Sequence, residues 1–346
     1  MIDGTQLRAS LVRLPRASLA FLPTPLYRAQ NLSRLLGIDL WIKRDDLTGL
    51  AFGGNKVRKL EFILGDALQQ GATRLLTTAS AQSNFCRVVA AAGCQAQVRV
   101  GLLLRGSPGE PVQGNLLLDH LLGAEIRFTD DINPYSEHTR EQLEAWAAET
   151  RAAGDIPYVI YIHHGSRAGA LATAAYVDAA IEIDQQCREY GLVPKHLYVA
   201  VGSGSSLAGL ALGARLRGGP LEHCQLHGIC VGELSPIIRP KINEFLGACA
   251  DLLGVSPATP HIQLDDTQRG DAYGVPTPAA IEAIRLAARA EALFFNPVYT
   301  GKAFAALLAD IRNGVIRTGE TVLFLNTGGD PLLFAYADQL GGSAQA

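Results

Sequence analysis

The sequence predicts an α/β protein of two lobes, each an open, mostly parallel, twisted sheet flanked by helices. Three observations carry that prediction. Short apolar runs alternate with helix-patterned stretches from end to end, as in parallel strands joined by crossover helices. Several of the runs are apolar throughout, as expected of strands covered on both faces. The chain has 346 residues, about two domains by length, and is 48% hydrophobic and 18% charged, so it can bury a large core.

In chain order, the first strand is "LWIK" (40–43), followed by the amphipathic stretch "KVRKLEFILGDALQQ" (56–70). The runs "RLLTTA" (74–79), "VRVGLLL" (98–104), "EIRF" (125–128) and "YVIYIH" (158–163) come next. An Ala-rich helical stretch covers 170–184, and "HLYVAV" (196–201), "LHGICV" (226–231) and "TVLFLN" (321–326) complete the strands. Small and turn-forming residues cluster in "HHGSRAG", so a smaller lobe is expected over 56–167. Residues 1–55 and 168–346 would form the larger one. A ligand site between the two is the natural expectation. There is no internal repeat, and the tail "GGSAQA" is expected to fray.

Composition narrows the function. A formal net charge of −3 with no basic run argues against a nucleic-acid partner. No apolar run approaches the ~18 residues of a membrane span, and "MIDGTQLRAS" is no leader, so a soluble, cytoplasmic protein is expected. Cys86, Cys94, Cys187, Cys224, Cys230 and Cys249 form no CxxC pair, which speaks against disulfides and zinc. His163 and His164 are adjacent, and neighbouring side chains diverge, so no metal is expected there either.

Two segments carry chemistry. In "HLYVAVGSGSSLAG" a strand runs into Gly202, Ser203, Gly204, Ser205 and Ser206 and then into a small-residue helix. Glycines let the backbone turn so that successive N–H groups converge on an anion, and the helix start and serine hydroxyls add to the attraction. Either Ser205 or Ser206 could also serve as a plain helix cap. The loop has no lysine, so it is not a P-loop. Leu207 stands where a dinucleotide fingerprint needs its third glycine. A monophosphate ester held by neutral donors fits best.

The second segment, "FGGNKVRKLEF", sets Lys56 behind Gly53, Gly54 and Asn55, with Lys59 one turn on. A lysine that forms a Schiff base must be neutral when it attacks. A helix N-terminus, the like charge of Lys59 and burial between lobes all disfavour the ammonium. A phosphate ester that needs such a lysine is pyridoxal 5′-phosphate (PLP).

"KRDDLTGLAFGGNKVRKLEF", "QSN" (82–84), "GSGSSLAG", "YGVPT" (273–277), "NPVYTGKA" (296–303) and "TGG" (327–329) together resemble the D-cysteine desulfhydrase / 1-aminocyclopropane-1-carboxylate (ACC) deaminase family. These are PLP enzymes of fold type II, the tryptophan-synthase-β fold. The resemblance runs from about residue 20 to 340. It implies that Lys56 carries the cofactor, that Asn84 bonds its ring hydroxyl and that Gly202 and Ser203–Ser206 hold its phosphate. The substrate carboxylate would lie at Ser83, flanked by Gln82 and Asn84, and Tyr273 and Tyr299 would face the reacting carbons. The same resemblance suggests a homodimer.

Thr300 would stand opposite the pyridine nitrogen, where the deaminases look to carry glutamate. Thr327 stands where they look to carry leucine. A neutral hydroxyl at Thr300 makes the ring a weaker electron sink, which suits prompt loss of a β-substituent over opening of a cyclopropane. Departures from the family pattern surround the pocket: Ala79 and Ser80 for glycines, Phe85 for a polar residue, "HHGSR" (163–167) for a glycine-rich turn, and Asp330 after the "TGG". Phe85 is expected either to enlarge an apolar substrate wall or simply to pack beneath its helix.

The function expected is α,β-elimination from a small β-substituted amino acid to a 2-oxo acid and ammonia, with D-cysteine giving pyruvate, sulfide and ammonia. Lys56 would act as base at Cα, with Tyr299 or Ser83 assisting the leaving group. Alternatives on the same fold are ACC ring opening, sulfite elimination from cysteate at Arg87 or Arg167, β-replacement or a specialised biosynthetic step. A PLP-binding protein without turnover is the alternative from another class.

Overall fold

The computed structural model describes residues 4–109, 111–131, 136–163, 165–256 and 262–341. His164 and residues 342–346 of the expected frayed tail lie outside the described residues. Ten strands among the described residues form two sheets: β1 (Leu26–Arg28), β2 (Asp39–Arg44), β3 (Arg74–Ser80), β4 (Arg99–Arg105), β5 (Glu125–Thr129), β6 (Pro157–Ile160), β7 (His196–Val201), β8 (Gln225–Cys230), β9 (Ile262–Asp265) and β10 (Thr321–Asn326). One sheet has the order β5-β4-β3-β6 and is parallel throughout. The other has the order β1-β2-β10-β7-β8-β9 and is parallel except for its edge strand β1. The expected α/β class with two mostly parallel sheets is what the chain adopts.

Two strands went unanticipated. Both β1 and β9 are short and lie at sheet edges with mostly half-buried side chains, so neither shows as a continuous apolar run. The "YVIYIH" strand is also shorter than expected: β6 ends at Ile160, and Tyr161–His163 leave the sheet to line cavities.

Helices hold the two sheets together. The Asn55–Gln69 helix buries Val57, Leu60, Ile63, Leu64 and Ala67, and its charged residues Arg58, Lys59, Glu61 and Asp66 are buried as well. A helix with both faces covered is an internal strut. It packs on the long Arg167–Tyr190 helix, whose alanines let neighbours approach closely. At Gly209, in the Ser205–Gly213 helix, an added Cβ would lie 2.2 Å from the Thr173 carbonyl oxygen, so only glycine permits that crossing. No helix among the described residues is long and apolar enough to cross a membrane.

A buried ionic network fixes the strut at its start. Arg58 donates to Asp45 (2.9 and 3.0 Å) and to Glu182 (2.8 and 3.0 Å), while Tyr176 donates to Asp45 at 2.7 Å. Lys43 bonds Glu182, Gln186 and the Thr24 carbonyl. These contacts set where Asn55 and Lys56 emerge.

Candidate active site

The carboxyl ends of β3, β4, β6, β7 and β10 converge on a cavity of about 480 Å³. Ligands of open α/β sheets gather at this edge because the helices that follow begin there and present free N–H groups. Lys56, Ser83, Asn84, Phe85, Tyr273, Tyr299 and Thr327 line this one space with Gly202, Ser203, Gly204 and Ser206.

The approach to Lys56 is conformationally unusual. Ala51 and Phe52 have φ of 44° and 67°, and Gly53 and Gly54 follow at 61° and 105°. Non-glycine residues rarely hold such angles, and they persist where neighbours clamp them. Here Arg87 donates to the Gly53 carbonyl at 2.8 Å, Thr48 donates to that of Gly54 at 3.0 Å, and the Asn55 N–H reaches the Thr327 carbonyl at 2.9 Å. The Lys56 amine then lies 3.0 Å from Asn55 Oδ1, facing the cavity.

Burial, with the Arg87 guanidinium as a second cause, pulls the Lys56 amine down to about 8. The like charge expected to act on it was Lys59; the structure supplies Arg87 instead. Lys59 itself is held well below its ordinary range, first by burial and then by Lys56.

Lys59 also changes the expectation of a neutral phosphate cradle. Its ammonium nitrogen lies 2.8 Å from Ser205 Oγ and lines the cavity beside Ser203 and Ser206. Ser203 and Ser205 hydroxyls are 3.3 Å apart, and Asn55 Nδ2 approaches Ser206 Oγ at 3.3 Å. The Ser205–Gly213 helix starts at Gly204 (φ 93°) with no side-chain cap, which leaves its first N–H groups facing the cradle. A lysine amine that a dianion would hold protonated, hydroxyls and open N–H groups together suit a phosphate.

Across the cavity, Ser83 caps the Asn84–Ala96 helix by accepting from the N–H of Phe85 and Cys86. Its hydroxyl hydrogen is left to donate. Asn84 Oδ1 accepts from Asn115 Nδ2 at 2.9 Å, leaving the Asn84 amide nitrogen as the donor. Phe85 lines the cavity and packs against the core of the β3–β6 sheet. The hydroxyls of Tyr273 and Tyr299 are hydrogen-bonded to each other, and Tyr273 is 44% exposed at the mouth.

Three expected site residues stand back from the wall. Gln82 donates to the Gln113 carbonyl and accepts from the Asn115 N–H, so its amide serves the loop beneath. Ser205 is buried under Lys59. Thr300 is buried at a helix start, where its oxygen accepts from Asn296 N (2.8 Å) and Nδ2 (3.1 Å). Neither arginine considered for a sulfonate lines the space: Arg167 pairs with Asp66, and Arg87 lies behind Gly53.

A family model described as "Pyridoxal-phosphate dependent enzyme" matches residues 17–328. The chain belongs to that family. The PLP-dependent family chain is 39% identical over 336 residues to a D-cysteine desulfhydrase of Salmonella schwarzengrund, covering 94% of this chain and 97% of the relative. A D-cysteine desulfhydrase of Salmonella newport matches to the same extent. Among solved structures, an ACC deaminase homologue superposes with a TM-score of 0.86 at 36% identity, covering 97% of this chain and 98% of the other. The diaminopropionate ammonia lyase of Escherichia coli shares the fold alone, at TM-score 0.70 and 17% identity, with 99% and 94% covered. This family chain is a PLP-dependent lyase.

The residues present fit the cofactor, because a phosphate cradle, an amine of lowered basicity and an oriented amide donor share one cavity. Sequence reasoning missed Lys59 as a cradle cation, although its place one turn after Lys56 on the same helix was a usable signal. It also missed Asn115, for which the sequence offers no local signal, and Arg105, which closes an apolar strand at the cavity wall.

Proposed function

We propose that the protein eliminates the β-substituent from a small amino acid, with D-cysteine giving pyruvate, sulfide and ammonia. One observation carries this: the Lys56 amine, brought down to about 8, shares a cavity with an anion cradle and a hydrogen-bonded tyrosine pair. PLP, when bound, supplies an electrophilic carbon and an electron-withdrawing ring. Lys56 would hold it, Lys59 and the Ser203–Ser206 loop would bind its phosphate, and Asn84 Nδ2 would donate to its ring oxygen.

Lys56 Nζ is basic enough to take the proton from substrate Cα and neutral often enough near pH 8 to do so. The start of the Asn84–Ala96 helix and the Ser83 hydroxyl would bind the substrate carboxylate. The Tyr273–Tyr299 pair would deliver a proton to the leaving sulfur at Cβ. Thr300 spends both oxygen lone pairs on Asn296, so only its O–H hydrogen is left to meet a pyridine nitrogen. That favours an unprotonated ring, a modest electron sink suited to β-elimination. The desulfhydrases of Salmonella and the ACC deaminase homologue support this reaction class.

The β3–β6 sheet lies between the chain segments that build the larger one, which supports a smaller lobe over 56–167 and a larger one from 1–55 and 168–346. We place the protein in the cytoplasm as a homodimer; its six cysteines are free, in keeping with a reducing compartment, and Phe21 and Phe52 offer exposed apolar surface to a second copy. Sedimentation checks the dimer.

The test is an absorption spectrum of the purified protein followed by a substrate panel of D- and L-cysteine, D- and L-serine, β-chloroalanine and ACC. The expected result is a yellow protein that releases pyruvate from D-cysteine, with turnover lowered by on the order of 10³-fold or more in Lys56→Ala. A colourless protein that cannot be loaded with PLP would overturn the proposal. A yellow protein that releases no oxo acid from any of the panel would overturn the reaction but leave the cofactor site standing.

A further inference from the structure

We infer that Arg105 extends the substrates of the cavity to amino acids whose β-substituent carries a second negative charge. This rests on the function proposed above and names its substrate class.

The charges lining the cavity among the described residues are few. Lys56, Lys59 and Arg105 are the basic side chains, and Glu233 is the one carboxylate. Glu233 is bound by Lys241 at 2.6 and 2.7 Å, so its charge is largely answered from outside the cavity. Two of the basic side chains have tasks: Lys56 holds the cofactor, and Lys59 belongs to the phosphate cradle. The substrate carboxylate has the start of the Asn84–Ala96 helix. Arg105 is the third, with no part in any of these.

Its position gives it a different task. Arg105 ends β4, in register with Ser80 on β3, and its backbone carbonyl accepts the N–H of Ala81. It therefore stands on the wall formed by the β3–β6 sheet, with Ser80 beside it on the same wall. Its charge reaches the Tyr273 hydroxyl, where it opposes the upward push of burial. Since Tyr273 and Tyr299 bond each other, the guanidinium belongs to the leaving-group side of the space. Arg105 engages a neighbour, and the planar guanidinium carries five N–H donors in a fork that matches the oxygens of a sulfate, sulfonate or carboxylate.

The chemistry balances without an added oxidant or reductant. For serine O-sulfate, Cα–H and Cβ–O break, the proton passes to Lys56 Nζ, and sulfate departs with the bonding electrons. The aminoacrylate released takes up water to give pyruvate and ammonium.

The experiment compares serine O-sulfate with D-cysteine and β-chloroalanine in the loaded enzyme and in its Arg105→Gln and Arg105→Lys variants. The expected result is a ~10- to 100-fold lower kcat/KM of Arg105→Gln for serine O-sulfate, the loss of one charged hydrogen-bonded contact. D-cysteine and β-chloroalanine should change less than about threefold, and Arg105→Lys should recover part of the loss. A second readout needs no turnover: calorimetric titration should give aspartate tighter than alanine in the parent and not in Arg105→Gln. Equal loss on all three substrates would overturn the inference, because Arg105 would then serve the common carboxylate. No loss on any, with aspartate binding unchanged, would overturn it as well. An intact cofactor spectrum in the variants separates these outcomes from misfolding. Failure of the parent to take up PLP would instead count against the function proposed above.

Discussion

Arg58 and Lys59 are neighbours on one helix, both almost fully buried, and they live in opposite electrostatic worlds. Arg58, 1% exposed, meets two carboxylates, Asp45 and Glu182, and is held firmly protonated. Lys59, 2% exposed, meets the Ser205 hydroxyl, the Tyr176 ring at 5.6 Å and the like charge of Lys56, and its ammonium form is disfavoured. Burying a charge is costly unless it is paired. A compensated cation therefore marks a structural tie, and an uncompensated one marks a place where a ligand anion completes the site.

The largest effect expected is on the compensated side. Arg58→Met leaves Asp45 and Glu182 without their main partner, and breaking a buried pair this way costs about 3–5 kcal/mol. Chemical denaturation of the cofactor-free protein measures it. Acid provides a second check. Burial alone would raise Glu182, but Arg58 and Lys43 pull it down to about 2, below its ordinary 4.5. A carboxylate lowered in the fold contributes stability that is present above its ordinary value and lost as pH falls towards 2. That acid sensitivity should shrink in Arg58→Met. A variant as stable as the parent would break the comparison at its compensated end.

How much of this contrast could be read from the sequence depends on distance along the chain. The strands that bury both faces announced themselves as apolar runs, and the glycine–serine loop and Lys56 announced the cofactor, because each is a local pattern. Edge strands β1 and β9 did not, since most of their side chains are only half-buried. Lys59 was seen, but only as a charge beside Lys56. Its partner Ser205 is 146 positions away, and no local pattern couples them. Arg87 was considered as a sulfonate ligand, yet the fold tucks it behind Gly53. Neither role is fixed until long-range packing decides which way a helix faces.

On the uncompensated side the expected sign is reversed. Lys59→Met removes a charge that the cofactor-free fold disfavours, so that form should gain stability near pH 7. A lysine lowered in the fold binds fewer protons than it does unfolded. The parent should therefore gain stability as pH rises towards the ordinary lysine value, and the variant should not. The cofactor should pay for this: its phosphate loses one charged donor, and PLP should bind ~10- to 100-fold more weakly. Thermal melts with and without PLP measure both halves. A variant destabilised in both states would show Lys59 to be another structural tie, like Arg58.

The smallest effect sharpens what acts on Lys56. Burial is the larger cause of its lowered basicity and the Arg87 guanidinium the second, so removing Arg87 takes away only the lesser part. Arg87 is itself buried, and the charges of Asp330 and Asp119 act on it to oppose the effect of burial. In Arg87→Met the Lys56 amine should become more basic, and the pH at which it is half neutral should move up from about 8. At fixed pH near 7 the reactive neutral fraction should fall by a few-fold, within the tenfold that one unit represents. Labelling of Lys56 in cofactor-free protein with an amine-directed reagent across pH 6–10, read by mass spectrometry, follows this without turnover. Arg87→Lys keeps the charge and should leave the midpoint in place, though it cannot reproduce the hold on the Gly53 carbonyl. If both variants move the midpoint equally, the clamp on the strained Ala51–Gly54 turn matters rather than the charge. An unchanged midpoint in both would leave burial as the sole cause, and Lys56 would then owe its chemistry to the cavity alone.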